Sequence, residues 1–424
     1  MTHGVHEELD KLCDEGIEQV IGWRRHLHRN PELPNREAAT ARLVARELTG
    51  FGLDEVRTGI AGHGVVGVLR GGRPGDRVAA LRADMDALPV PDRCGADFAA
   101  TGAASHACGH DCHTAMLLGA ARALADVRVR ERLPGTVLFV FQPAEEGPPV
   151  DEEGGARLMV AEGAFADPVP TMAFGMHVTP HPKGWVGYKS GPMYGASCLV
   201  RVAVTGKQAH ASSPWHGVDP MPAVGALLTG IGQLYRQVSA FSPVTVSIGH
   251  IEDVGRFNVI GETVTLWGTI RCAEERDMPE VKRRLTALAE HTAEAYGASA
   301  TVELLQDVPA VHNDAAWVED ALPTLRRVAG ADRVVEVGGT LGYDDVSELI
   351  TRFGGLYVML GVQDTALDPA SGEPAPVPGG RGLVGNHHPG FYADDDTLIT
   401  GVRLHAHAAY DHLAGSLVTR LLTR

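Results

Sequence analysis

No apolar run in this chain approaches the roughly 18 residues that a membrane-spanning helix needs. The opening residues, Met1-Thr2-His3-Gly4-Val5-His6-Glu7-Glu8, offer neither a basic segment nor an apolar one, so no secretory signal is expected. Positive charge is scarce: 37 Lys and Arg stand against 53 Asp and Glu, a net charge of −16. That balance argues against nucleic acid and anionic membranes as partners and for a freely diffusing protein. Cysteine is scarce too. The six, at 13, 94, 108, 112, 198 and 272, make no disulfide framework in a chain of 424 residues, so a reducing cytoplasm is expected. Two hydrolase signatures are also missing. Neither His-Glu-x-x-His nor Gly-x-Ser-x-Gly occurs, which removes zincin-type and serine-hydrolase readings.

What is present is concentrated. His106-Ala107-Cys108-Gly109-His110-Asp111-Cys112-His113 packs imidazoles, thiols and a carboxylate together, and a divalent metal is the usual reason for such a set. Gly109 lets the chain turn so that Cys108 and His110 aim at one point. The following Thr114–Ala121 stretch forms helices well, so the expected setting is a loop entering a helix, with Asp111 as N-cap.

The length suggests two domains or three small ones, and 44% hydrophobic content supplies their cores. A first helix is expected over 5–29, ended by Pro31. His26 and His28 near its end could be ligands, or a basic helix end against its own dipole. Gly62-His63-Gly64-Val65-Val66-Gly67 spells a dinucleotide fingerprint, but a strand follows it instead of a helix, so it reads as a turn. The short strand Val78–Leu81 leads to Asp84 and Asp86. These face a crevice at a strand's carboxyl end, or they sit in a solvated turn; both readings stay open. The apolar strand Thr136–Phe141 runs into Glu145-Glu146. Such a pair is costly beside a buried strand unless a metal or proton neutralises it, though an exposed acidic loop is the commoner case. The strand Thr171–His177 delivers His177. Ligand-type residues thus recur at the same end of successive strands.

From about 190 the texture changes to a β-α-β-β-β-α pattern, including an expected hairpin over 258–271, which fits a small antiparallel α+β layer inserted in the first domain. After about 305 the first texture returns. A Pro/Gly-rich loop, 363–385, precedes His387-His388, and a last helix is expected over 394–418, with His405, His407 and His412 structural or superficial.

Arg-Ala-Asp-Met-Asp-Ala-Leu-Pro (82–89), His-Ala-Cys-Gly-His-Asp (106–111), Gln-Pro-Ala-Glu-Glu (142–146), Phe-Gly-Met-His (174–177) and His-His-Pro-Gly-Phe (387–391) resemble the M20 metallopeptidase family. The likeness spans nearly the whole chain in order, and its nearest branch is the aminoacylase-like amidohydrolases: hippurate hydrolases, N-acyl-amino-acid amidohydrolases and plant auxin-conjugate hydrolases. The resemblance implies an α/β fold: a catalytic α/β domain with a central mixed sheet (1–190 and 305–424), interrupted by a smaller α+β lid and dimerisation domain (191–304). It implies two divalent metal ions per chain, Zn, Mn, Co or Ni, held by Cys108 as the bridge with His110, Glu146, His177 and His387. Glu145 becomes the general base, and Asp86 supports a ligand from behind. Asp84 stands where other branches have a ligand histidine. In the lid, His210, Asn258 and Arg271 match substrate-contacting positions, the histidine reaching the partner subunit's site in a homodimer or higher oligomer. Two departures bear on substrate identity rather than chemistry: Tyr343-Asp344-Asp345-Val346 replaces the usual Gly-Glu-Asp-Phe and alters a pocket wall, and the usual Pro-His of the lid loop reads Pro214-Trp215-His216.

The expected chemistry is amide hydrolysis of a small N-acyl amino acid or amide conjugate. A metal-activated water would attack, Glu145 would move the proton, His210 would stabilise the oxyanion and Arg271 would grip a substrate carboxylate. The alternatives are a cysteine-dependent hydrolase with Cys108 as nucleophile, and a zinc-stabilised binding protein without turnover.

Overall fold

Residues 3–417 are described in this computed structural model. The chain forms two compact units: the described residues of Met1–Gly191, His312–Gly338 and Glu348–Arg424 in one, and Pro192–Val311 with Gly339–Ser347 in the other. The second unit thus takes in the segment 339–347, which lies within the stretch expected to belong to the first.

The first unit is built on an eight-stranded mixed sheet. Its strands are β1 (Glu55–Ile60), β2 (Gly64–Arg70), β3 (Arg73–Asp84), β4 (Pro134–Gln142), β5 (Met172–Pro182) and β6 (Val186–Tyr188), with Val334–Glu336 and Gly355–Gln363. In space they run β1-β2-β4-β3-β5, then Gly355–Gln363, β6 and Val334–Glu336. The middle of this order, β4, β3, β5 and Gly355–Gln363, is parallel throughout. Such strands are covered on both faces, which is why Val137–Phe141 is apolar without alternation and wholly buried. Their carboxyl ends open on one edge of the sheet, where parallel α/β folds bind ligands. β5 pairs with β3 only through Phe174 and continues past His177, so that histidine stands in the strand just beyond its β3 neighbour rather than at the strand's end.

Helix α1 (His3–Arg29) and helix α3 (His110–Ala125) pack together against the C-terminal helix Leu398–Ala414, while α2 (Ala38–Gly50) lies over β1 and β2. The interface is apolar: Leu9, Leu12, Val20, Met116, Leu117, Val402 and Leu404 are buried in one cluster with Phe139 and Phe174. His405, His407 and His412 are all buried. The loop expected over 363–385 contains a small ribbon, Thr365–Leu367 against Pro374–Pro376.

The second unit is a four-stranded antiparallel sheet in the order Val244–Asp253, Thr263–Cys272, Ala196–Thr205, Ser299–Val308. Every second residue of Thr263–Cys272 is buried, the pattern of a strand with one covered face. Helices Met221–Leu234 and Met278–Ala295 supply Leu227, Ile231, Val281 and Leu285 to that core. The expected hairpin over 258–271 does not form. Val259–Ile260 pairs with Ala209–His210, whereas Thr263–Cys272 pairs with Ala196–Thr205 and Val244–Asp253. Gly261, packed against Gly255, is where the chain leaves one ribbon and enters the sheet.

Candidate metal centre

The loop between β3 and α3 and the turn after β4 meet at Asp86. Its Oδ1 lies 3.2 Å from His110 Nδ1, which also donates to the Asp86 carbonyl at 3.0 Å. Its Oδ2 accepts the backbone N–H of Glu146 at 2.9 Å. One buried carboxylate therefore fixes the ring of one expected ligand and the backbone of another. With Nδ1 donating, His110 presents Nε2 to Glu145 Oε2 at 3.7 Å and to Glu146 Oε1 at 3.9 Å. That nitrogen is buried and makes no hydrogen bond. Burial alone would lower the His110 pKa, but Asp84, Asp86 and Glu146 outweigh it and raise it to about 10. The surroundings call for positive charge at Nε2, whether a proton or a metal supplies it.

Cys108 lies between two more rings. Its Sγ is 3.3 Å from His177 Nε2 and 3.3 Å from His387 Nε2. The Nδ1 of His177 donates to the Val178 carbonyl at 2.8 Å, which turns Nε2 toward the sulfur. His387 has a left-handed backbone, φ 67°, and its N–H donates to the Ala107 carbonyl at 2.8 Å. Asn386 ties this loop down, reaching the carbonyls of Cys108 and Val178 at 3.1 and 3.2 Å. The His387 Nε2 is also 3.1 Å from Glu146 Oε1. Against burial, which raises it, His387 and His110 hold the Glu146 carboxyl below its ordinary pKa.

Two donor clusters thus share one sulfur: Cys108 with His110 and His177, and Cys108 with Glu146 and His387. A mixed S, N and O set converging on one shared sulfur fits borderline divalent cations, which these residues would hold. Burial and the carboxylates of Glu146, Glu145 and Asp84 push the Cys108 thiol well above its usual range. A nucleophilic thiolate is disfavoured there, whereas a shared cation would neutralise sulfur and carboxylates together.

Asp84 is buried and serves the frame. It accepts from Arg82 at 2.7 Å and from His113 Nδ1 at 2.6 Å, while His113 Nε2 accepts the Val178 N–H at 2.9 Å. Both nitrogens of His113 are therefore used. His106 is buried as well, its pKa lowered to about 4 by burial. Asp111 is not the N-cap of α3; that position is Gly109 at φ 90°. Asp111 lies inside the first turn, where its Oδ2 accepts from Arg24 at 3.0 Å and faces His28 Nδ1 at 2.7 Å. Glu37 was not singled out from the sequence. It accepts the N–H groups of Asn35 and Ala144 at 3.0 and 2.8 Å, and so braces the turn before Glu145. A lone acid at a helix start carries no sequence signal for that role.

His210, Asn258 and Arg271 belong to the second unit. His210 pairs with Val259 across the short ribbon, and the Ala211 N–H donates to the Asn258 carbonyl at 3.2 Å, so the first two are neighbours. Arg271 lies on the sheet with its guanidinium 4.5 Å from the centre of the Tyr343 ring.

Residues 80–411 match the model of peptidase family M20/M25/M40. Thermostable carboxypeptidase 2 of Saccharolobus solfataricus is 32% identical over 406 residues, 94% of this chain and 97% of that protein. IAA-amino acid hydrolase ILR1-like 4 of Arabidopsis thaliana is 32% identical over 401 residues, 93% of this chain and 86% of that protein. Among solved structures, the YXEP protein of Bacillus subtilis, a dinuclear metal-binding peptidase of the M20 family, superposes with a TM-score of 0.73 at 28% identity, covering 94% of this chain and 98% of its own.

Proposed function

The chain belongs to peptidase family M20/M25/M40, and from that premise we propose that its metal-dependent amide hydrolysis acts on N-acyl amino acids or similar small amide conjugates. The observation that carries this reading is the sulfur of Cys108 set 3.3 Å from two histidine nitrogens on separate strands and loops. The two relatives support the substrate class. One is named a carboxypeptidase and the other an IAA-amino acid hydrolase.

Cys108, His110, Glu146, His177 and His387 would hold two divalent ions, Zn, Mn, Co or Ni, which when bound lower the pKa of water and polarise an amide carbonyl. Glu145, buried beside His110 at 3.7 Å, accepts the proton of the attacking water and returns it to the departing nitrogen. His387, just over half exposed at 55%, leaves the donor cluster open to substrate on its side. Arg271, fixed against Tyr343, grips the substrate carboxylate, with Asn258 beside the acyl group. His210 steadies the developing oxyanion from the partner subunit of a homodimer formed through the second unit. The compartment is the reducing cytoplasm, in keeping with six free cysteines. Among the described residues no helix is long and apolar enough to cross a membrane.

The test is a panel of N-acyl amino acids offered to chelated protein reloaded in turn with Zn, Mn, Co and Ni. Release of free amino acid that is abolished by the chelator and restored by at least one ion is expected. Activity that survives complete chelation, or no cleavage of any member, overturns the proposal.

A further inference from the structure

A second group of metal-type donors lies apart from the Cys108 centre. Where α1 ends, His28 is buried, and the loop after β3 lays Asp92 and Cys94 against its ring. His28 Nε2 is 3.1 Å from Asp92 Oδ2 and 3.6 Å from Cys94 Sγ. All three donor atoms lie within 4.8 Å of one another. Around a tetrahedral ion with bonds of about 2.0–2.3 Å, neighbouring donors stand roughly 3.3–3.7 Å apart, close to what is seen here. The other nitrogen of the ring, Nδ1, is 2.7 Å from Asp111 Oδ2. A carboxylate on the far nitrogen is the usual companion of a metal-bound histidine, because it fixes the tautomer and strengthens the donor.

We propose that His28 Nε2, Asp92 Oδ2 and Cys94 Sγ form a third cation site, separate from the dinuclear centre and suited to zinc or a similar borderline divalent ion. The donor set excludes magnesium and calcium, which want oxygen ligands. The site is built, not accidental. Asp92 is held by the N–H groups of Cys94 at 2.9 Å and Ala100 at 2.8 Å, and its side chain and that of His28 are 2% and 3% exposed. Cys94 is only half-buried, so solvent is within reach to supply a fourth ligand. Its carbonyl accepts from Arg381 at 2.8 Å, and the N–H of Arg93 donates to Pro389 at 2.7 Å. A cation here therefore ties α1 to the loop that packs on the His387 segment.

The experiment counts zinc. The full chain is saturated with Zn²⁺ near pH 8, loose metal is removed by gel filtration, and zinc per chain is measured by elemental analysis for wild type, Cys94→Ser and Asp92→Asn. The expected result is one ion fewer per chain in each variant than in wild type. A second measurement uses wild type alone, so that it stands even if a variant fails to fold. Iodoacetamide should label Cys94 in chelated protein and be blocked there by added Zn²⁺, as read by peptide mass. Equal zinc counts in wild type and a folded Cys94→Ser chain, or labelling of Cys94 that zinc does not slow, overturn the proposal and leave the cluster a salt-bridged clasp. A Cys108→Ser chain separates the two centres, because its losses come from the dinuclear pair while zinc protection of Cys94 persists.

Discussion

Glu145 and Glu146 are adjacent and equally acidic in sequence, the first buried and the second half-buried, yet their surroundings differ. Glu146 is tied by its backbone to Asp86 and by its carboxylate to His387, whereas Glu145 stands 3.7 Å from His110 Nε2. In the proposed mechanism Glu146 is a metal ligand and Glu145 the proton carrier, which must exchange partners during the reaction. Glu145→Gln should therefore keep its full metal content while turnover falls about 10²–10⁴-fold, the usual worth of a positioned base. Near-full activity in that variant removes Glu145 from the role. Cys108→Ala makes the converse prediction. Removing the sulfur that both clusters share leaves each with a donor fewer, so metal analysis should show loss of bound ion and activity should fall with it. Undiminished occupancy would take Cys108 out of the site.

At the scale of elements, the loop entering α3 depends on one glycine. At Gly109, φ is 90° and an added Cβ would stand 2.2 Å from Val178 Cγ2. Gly109→Ala should cost about 1–3 kcal/mol of strain, checked by denaturant unfolding, and should weaken metal binding because Cys108 and His110 flank it. The C-terminal helix carries a different liability. Burial lowers the pKa of His405 to about 3 and of His412 to about 4, and lowers that of His407 too. An unfolded histidine titrates near about 6.5, so as pH falls below that value the unfolded chain takes up protons that the folded chain refuses. Their stabilising effect is complete above about 6.5 and is lost as pH drops, by up to about 1.4 kcal/mol per pH unit for each ring. His405→Leu, which keeps an apolar contact on Phe174, should flatten the acid limb of the stability curve by one proton's worth; an unchanged slope between pH 6 and 4 (about the window the shifts define) refutes it. These elements also show what could be read beforehand. The apolar strands leading to Asp84 and to the Glu145-Glu146 turn were legible because burial on both faces removes alternation and exposes the change of chemistry at the end, whereas β5 runs on past His177 to Pro182. The partners of Asp84, Asp111 and Glu37 were not, because Arg82, Arg24 and the Ala144 turn reach them through space. The missed hairpin failed because Val259–Ile260 pairs with Ala209–His210, some fifty residues earlier in the chain, a contact no local pattern encodes.

For the whole molecule, the inserted character of the second unit was readable from the change of texture near residue 190, but its full extent was not. Segment 339–347 joins it through backbone bonds from Gly195 to Gly342 at 2.8 Å and from Thr340 to Met193 at 2.9 Å, with Tyr343 under Arg271. A short stretch without periodicity gives no hint of such pairing. The division of labour proposed for Glu145 and His210 is testable by mixing chains. If Glu145 serves its own chain and His210 serves the partner's, Glu145→Gln and His210→Ala are each nearly inactive alone. Dissociated and reassembled together in equal amounts, half the dimers become mixed, and each mixed dimer holds one site with both residues intact. Activity should then return to about a quarter of the wild-type level, as the two-fold symmetry of a dimer requires. If His210 instead serves its own chain, no mixed dimer has a complete site and activity stays at the level of the separate variants. The recovered fraction thus decides whether catalysis belongs to the single chain or only to the assembled pair.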